Sequence, residues 1–332
     1  MVKVPARPHA GQVFAGVGAL LVGVAVAGQS RINGALASAL GGGLSGGSTA
    51  AAINMATGMV LITVLVLARP APRAALAALP RLVRSGRLPW WQCIGGVAGA
   101  TYVLAQATGV PVLGVAIFSV CTVGGQTASS LLVDRYGLGP AGRQPITGQR
   151  VSAAVLATLA VVIAVADQWS AASFSLALVL FVVLAGVLSA GQQGLNGRVS
   201  VAAGGPFVAG WVNFLISGAV LVIVVAVDRL LGHGVPALPS ALWLYLGGPV
   251  GLLYIVAAAA LVRVLGVLVL GLATVAGTVI GSMLLDWVAP VNGQGPSIWT
   301  ACGATLTLVA VGVAVVRWPG RGQRRQQDLR RQ

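Results

Sequence analysis

The chain has 332 residues, of which 57% are hydrophobic and only 8% are charged. A soluble globular protein carries about 25% charged residues, so this composition excludes a water-soluble domain and predicts a surface in contact with lipid. The formal net charge of +15 would suit a nucleic-acid partner. The basic residues are instead confined to the ends of apolar runs and to a terminal tail, which excludes that partner.

Apolar stretches that are long enough to cross a bilayer recur along the whole chain. They are continuous rather than alternating, which favours helices over the strands of a barrel. We therefore predict an all-α polytopic membrane protein with ten transmembrane helices. The predicted spans lie at about 12–34, 48–68, 90–108, 111–133, 149–166, 173–197, 206–227, 242–261, 264–286 and 297–316.

The distribution of basic residues predicts the orientation. With the N-terminus inside and an even number of spans, all of the 20 Lys and Arg residues except Arg31 and Arg229 fall on the cytoplasmic side. This asymmetry follows the positive-inside rule. We predict a multi-pass protein of the bacterial inner membrane with both termini cytoplasmic, and a basic tail over 317–332 that lies near anionic lipid.

The chain contains an internal repeat. Residues 91–134 align without a gap on residues 243–286, with Trp, Gly, Tyr, Thr, Ser and Asp at matched positions. A shorter motif, Gly-Gln-x-x-x-Asn-Gly, occurs at 28–34 and again at 191–197, each time after a long apolar run. Many transporters are built from such doubled membrane units.

Each copy of the repeat holds five predicted spans, which is an odd number. The second copy must then enter the membrane from the opposite side, which predicts a 5+5 inverted-topology repeat. We divide the chain into a first repeat over 1–166, a second, inverted repeat over 167–316, and the cytoplasmic tail.

Few residues could support catalysis. The sequence has no Glu, its five Asp residues lie at span edges, in loops or in the tail, and both His residues lie outside the spans. The three Cys residues are widely spaced and show no metal-binding or disulfide pattern. No Gly-x-x-x-x-Gly-Lys-Ser/Thr motif occurs, so we predict no enzyme activity, no ATP-driven pumping, no metal and no cofactor.

The polar groups inside the apolar spans are mostly amides. Gln29 and Asn33 lie four residues apart and share one helix face, and Gln192 and Asn196 repeat that face. Unpaired amides are costly in hydrocarbon, so they either join helices or face a cavity. Amides suit a neutral or zwitterionic solute. The candidate substrate contacts are Gln29, Asn33, Tyr102, Gln106, Gln126, Gln192, Asn196 and Tyr254.

Asp134 and Asp286 are the ionisable residues that the repeat matches, at the predicted inner and outer faces. One interpretation is that each anchors its helix end at the membrane interface. The other is gating or coupling, in which each carboxylate finds a basic or hydroxyl partner while its own side is closed. Arg135 or Arg150 could pair with Asp134.

The motifs together resemble a known family. The Gln-x-x-x-Asn-Gly after span 1, the Gly-Gly-x-x-Gly of span 3, and Gly-Gln-Thr-x-Ser-Ser-Leu-Leu-Val-Asp ending span 4 are similar to the YdcZ-like branch of the drug/metabolite transporter (DMT) superfamily. The chain resembles a fused, two-repeat form of that branch. The resemblance implies export or exchange of small organic molecules across the inner membrane.

Three classes of function follow from the sequence. The favoured one is a secondary transporter of a small organic metabolite or drug-like solute that works by alternating access. The alternatives are a passive channel or facilitator of small solutes, and a non-transporting membrane scaffold. Dependence of solute flux on a gradient separates the first two, and the absence of any flux favours the third.

Overall fold

The computed structural model describes residues 10–140, 142–168, 175–290, 293 and 295–315. Within these ranges the chain is helical and contains no β-strand. Each predicted span coincides with a helix, and the predicted tail over 317–332 lies outside the described residues. The helices are α1 (Ala10–Ala39), α2 (Gly43–Leu67), α3 (Pro70–Arg84), α4 (Gly95–Tyr136), α5 (Gly148–Ala164), α6 (Leu176–Ala202), α7 (Pro206–Leu230), α8 (Gly247–Val288) and α9 (Ile298–Val315).

Membrane-spanning character is clear from helix length and composition. In the described part of the chain, five helical stretches are long and apolar enough to cross a bilayer, namely Phe14–Ala39, Gly43–Leu67, Trp90–Tyr136, Leu176–Ala202 and Pro206–Leu230. The third has 47 residues. At 1.5 Å per residue it would be about 70 Å long, more than twice the hydrocarbon thickness of a bilayer, so it has to fold back within its length.

The fold-back occurs at Gly114, which is the non-helical residue inside α4. Its φ of 80° and ψ of 167° lie in a region that residues with a Cβ rarely adopt. Sequence analysis placed this turn earlier, between spans ending at 108 and starting at 111. The structure corrects that boundary, because Gly109 and Pro111 remain helical and only Gly114 takes a positive φ.

Helix α3 was not predicted, because its sequence resembles a basic loop. It begins after Arg69 with Pro70 in its first turn, where the missing N–H of proline costs no hydrogen bond. Its apolar residues Leu79 and Leu82 pack against a buried cluster of Leu88, Val199 and Ala209. Arg73, Arg81 and Arg84 fall on the opposite face by helical spacing. The helix is therefore amphipathic.

Helix packing repeats between the two halves of the chain. Helix α1 packs along α8 as α6 packs along α4, while α2 packs with α7 and α5 with α9. Exchanging the halves maps this set of contacts onto itself. The pairing of α5 with α9 keeps those two helices at the periphery, as their low polar content indicates.

Glycines set the distance between the closest helix pairs. A Cβ on Gly125 of α4 would strike the backbone oxygen of Val183 in α6. At the repeat-matched position, a Cβ on Gly277 of α8 would strike the backbone oxygen of Leu20 in α1. Small residues are how membrane helices bring their backbones together, and here the same crossing is built twice.

Replacing one of these glycines tests the crossing. We expect Gly125→Ala and Gly277→Ala each to lower the free energy of unfolding by about 1–3 kcal/mol, because the added methyl group has to push two backbones apart. The matched control is Gly218→Ala in α7, where no atom lies within 4 Å of the added Cβ. Thermal unfolding in detergent should show that the control is as stable as the parent or slightly more stable. An equal loss in all three variants would contradict this account.

Candidate functional site

A cavity of about 400 Å³ lies between the two halves of the chain. Helices α1, α2, α4, α6, α7 and α8 contribute to its wall, and its volume is typical of sites for small organic molecules. Seven of the eight predicted contact residues line it. They are Gln29, Tyr102, Gln106, Gln126, Gln192, Asn196 and Tyr254.

Asn33 is the predicted contact that does not reach the cavity lining. Its side chain is 1% exposed, and its Nδ2 donates a hydrogen bond to Gln106 Oε1 at 2.8 Å. Its Oδ1 accepts a hydrogen bond from Asn54 Nδ2. Both the N–H group and the oxygen of this amide are bonded, and these bonds hold α1, α2 and α4 together.

Gln106 borders the cavity but is committed to the same network. Its Nε2 donates to Ser30 Oγ at 2.8 Å, while its Oε1 accepts from Asn33. The residue is 1% exposed, so losing one partner would leave a buried polar group unpaired, which is the expensive case. Gln106 is therefore part of the framework that forms one end of the cavity.

The second half contains a related network. Gln192 Nε2 and Asn196 Nδ2 both donate to Asn213 Oδ1, at 2.8 and 3.2 Å. The glycine positions of the repeat face these amides, since a Cβ on Gly99 would lie 2.6 Å from Gln192 Nε2 and one on Gly251 would lie 2.6 Å from Gln29 Nε2. Glycine on α4 and α8 thus makes room for amides on α6 and α1.

Two of the predicted contacts remain uncommitted. The side-chain amides of Gln29 and Gln126 line the cavity and have no hydrogen-bond partner among the described residues. The ring of Tyr102 is fixed against Phe118 in an edge-on arrangement with centroids 5.8 Å apart. Tyr254, its repeat partner, lines the same cavity. Free amides beside ordered aromatic rings can bind and orient an organic solute.

Further lining residues were missed by sequence analysis. Ser189 and Gln193 on α6 and Thr278 on α8 also face the cavity. Ser189 lies three residues before Gln192, and Gln193 lies three residues before Asn196, so a wider face around the two predicted amides would have included them. Within the described lining no side chain is charged, so the cavity is electrically neutral.

Asp134 forms an ion pair with Arg150, not with Arg135. Arg150 Nη1 lies 2.7 Å from Asp134 Oδ2, and both side chains are about one-third exposed, at 36% and 37%. An ion pair with this exposure contributes about 0–1 kcal/mol. It connects the end of α4 to the start of α5.

Asp286 has a different environment. It is 6% exposed, and its Oδ2 accepts a hydrogen bond from the backbone N–H of Ala116 at 2.7 Å. Ala116 belongs to the first turn of the helix that resumes after Gly114, where backbone donors lack helical partners and a carboxylate is favoured. A Cβ on Gly114 would lie 2.8 Å from the same oxygen. The hydrogen-bond partner of Asp286 is therefore a backbone group of the other half.

The chain was compared with known proteins. The model of the family described as "Putative inner membrane exporter, YdcZ" matches residues 14–163 and again residues 177–314. No curated protein matches the chain. A solved structure described as "Crystal structure of protein" is similar to it with 19% identity and a TM-score of 0.47, covering 93% of this chain and 98% of the other.

Committed and uncommitted amides should respond differently to the same substitution. We expect Gln106→Leu to lower the free energy of unfolding by about 1–3 kcal/mol, because it leaves Asn33 Nδ2 buried without its acceptor. Gln126→Leu, on the same helix, removes an amide without a partner in the described structure and should change stability by less than about 0.5 kcal/mol. Thermal denaturation of both purified variants measures the difference. Equal losses would mean that Gln126 is also a structural amide.

Proposed function

Because this chain belongs to the YdcZ family of inner-membrane exporters, we propose that it is a secondary transporter of a small organic solute, acting as an exporter or exchanger. The observation that supports this most directly is the cavity between the halves, whose described lining carries no charge and includes Gln29 and Gln126, which have no hydrogen-bond partner among the described residues. A scaffold protein has no need of free amides in hydrocarbon, where each one costs free energy.

We propose that the two halves are related as an inverted repeat. The first half covers 1–166 and the second covers 167–316, each with five membrane-spanning helices. The exchange of helix contacts between halves and the duplicated glycine crossings support this arrangement. The family model that matches once in each half supports it as well. An odd number of spans in each half would then orient them oppositely in the membrane.

The proposed orientation puts both termini in the cytoplasm. The basic residues then fall inside, with Arg31 and Arg229 as the exceptions, in line with the positive-inside rule. The basic residues of α3 and of the segment after 316 would lie at the anionic inner leaflet.

In this orientation we propose that the outer end of the cavity is sealed and the inner end is open. Ser30 at the outer end is 1% exposed, whereas its repeat partner Gln193 at the inner end is exposed. Phe118 at the outer end is 1% exposed, and Asp286 is 6% exposed against 37% for the side chain of Asp134. Equivalent positions of the two repeats thus occupy different environments, as expected for one of two alternating states.

The α2–α7 interface carries contacts near both ends. Arg229 Nη2 donates to Thr49 Oγ1 at 2.6 Å near one end, and the guanidinium of Arg69 lies 4.9 Å from the ring centroid of Phe207 near the other. We propose that α2 and α7 stay together throughout the transport cycle. The change of access would then come from α1, α4, α6 and α8, which line most of the cavity.

We propose that Asp286 stabilises the outer seal. Its hydrogen bond to Ala116 joins α8 to the outer end of the broken helix α4. The carboxylate of Asp134 would play the corresponding part at the inner end, and its exposed pairing with Arg150 would represent the released condition. Simple anchoring of helix ends is the alternative, and it predicts no directional effect.

Cysteine accessibility tests both the state and the gate. In a chain whose native cysteines are replaced by alanine, Gln193→Cys should react with an impermeant maleimide from the cytoplasmic side. Ser30→Cys should be protected from the periplasmic side. Adding Asp286→Leu should raise the labelling of residue 30 several-fold, and adding Asp134→Leu should not, because only Asp286 holds the outer seal. If both Leu variants alter labelling on the two faces alike, the gating role is wrong.

A flux screen tests transport itself. Purified protein in liposomes should drive exchange of some members of a library of neutral metabolites, with uptake that depends on solute loaded on the opposite side. Gln126→Leu should reduce that exchange by tenfold or more while leaving the protein folded, since a free amide orients the solute. Gradient-driven flux without exchange would instead indicate a channel, and the absence of flux for every solute would favour a scaffold.

A further inference from the structure

The two long walls of the cavity are formed by equivalent helix pairs that differ in chemistry. One wall consists of α4 and α6, and the other of α8 and α1. Since the halves share a fold, a substitution between matched positions changes the chemistry while the backbone stays the same. Gln126 on α4 corresponds to Thr278 on α8, and Ser189 on α6 corresponds to Val26 on α1.

The two walls also differ in how many side-chain hydrogen-bonding groups are left unused. Thr278 Oγ1 donates its one proton to the backbone oxygens of Thr274 and Gly23, at 2.9 and 3.2 Å. The side chains of Gln126 and Ser189, in contrast, have no hydrogen-bond partner in the described part of the chain. Among the described residues, the α4–α6 wall therefore presents more unused donors and acceptors than the α8–α1 wall, where Gln29 supplies the one uncommitted amide.

A third pair of repeat-matched positions shows the same difference between the two walls. Gln193 on α6 lines the cavity, and its side chain has no hydrogen-bond partner among the residues that the structure describes, while its repeat partner Ser30 is buried and bonded to Gln106 and to its own helix backbone. The α8–α1 wall adds Leu270 to Val26, while Val275 has a counterpart in Val123 of α4, which also lines the cavity. Gln29 is the one uncommitted amide of that wall among the described residues.

Charge is also excluded from the described lining. An organic cation or anion would lose its hydration on entering and would meet no opposite charge, which is strongly unfavourable. A neutral solute with hydroxyl or amide groups would instead exchange its water hydrogen bonds for bonds to Gln126, Ser189 and Gln193 at little cost. A hydrocarbon portion would be stabilised against Val26, Val275 and Leu270.

We propose that the solute is an uncharged amphiphile, with hydroxyl or amide groups that face α4 and α6 and a hydrocarbon portion that faces α8 and α1. This inference rests on the proposed function, because it takes the cavity as the transport site. It assigns Ser189 and Gln193, together with Gln126, as the residues that select polar groups.

The test uses three probes that share a butyl chain and differ in the charge of the head group, namely butyl β-glucoside, butyltrimethylammonium and butyl sulfate. Protein in lipid nanodiscs is titrated with each probe, and saturable stabilisation against heat is measured. The neutral glucoside should stabilise the protein, and the two ions should not.

Gln126→Thr and Ser189→Val each introduce the residue that the other repeat carries, so both should fold. Each should weaken glucoside binding about two- to tenfold, the effect of one hydrogen bond.

Thr305→Val is the matched control. Thr305 lies on α9 outside the cavity, and its hydroxyl bonds only the backbone of its own helix, so glucoside binding should equal that of the parent. Stronger binding of either ion, or no binding of the glucoside, would contradict the proposed class of solute. The proposal that the chain is a transporter would still be tested by the exchange assay. Unchanged binding in both cavity variants would overturn the assignment of the polar wall. Glucoside binding without exchange of any solute would support the class of solute that the cavity binds and would contradict the proposal that the chain is a transporter.

Discussion

The rest of this structure depends on the cost of an unpaired amide in hydrocarbon. The chain places Asn and Gln side chains in helices that are otherwise apolar, and a membrane offers no water to satisfy them. Most of these amides therefore bond to each other across helix boundaries, as Asn33 does with Asn54 and Gln106, and as Asn213 does with Gln192 and Asn196. The few amides that stay unpaired are therefore candidates for binding a solute, because no contact between helices requires them.

Glycine makes the pairing possible. On α4 and α8, glycines occupy the positions where a methyl group would displace an amide of the facing helix, as at Gly99 and Gly251. A second set, which includes Gly125 and Gly277, brings α4 against α6 and α8 against α1 at backbone distance. Glycine at these positions therefore determines both the spacing of the helices and the pairing of the amides, and it does so in both halves.

The sequence was sufficient to locate the spans and seven of the polar and aromatic residues that line the cavity, because both depend on periodicity that recurs in the repeat. The sequence was insufficient for features that depend on contacts between helices. Gln106 and Gln126 look equivalent in the sequence, yet one is bound to α1 and the other is free, a difference that depends on the facing helix. The break in α4 depends on the backbone angles at Gly114, and Gly109 gave an equally good signal. The apolar face of α3 is only a few residues long and was obscured by its arginines.

The hydrogen bond between Asp286 and Ala116 also has a consequence for biosynthesis. Its two partners are separated by 170 residues, so the helix that begins after Gly114 enters the membrane long before its capping carboxylate is made. At about 5–20 residues per second, the ribosome needs roughly ten to thirty seconds to reach Asp286. During that interval the first turn of this helix has to be hydrated or held by the insertion machinery. The first half of the chain therefore cannot complete its own structure until nearly all of the second half has been synthesised.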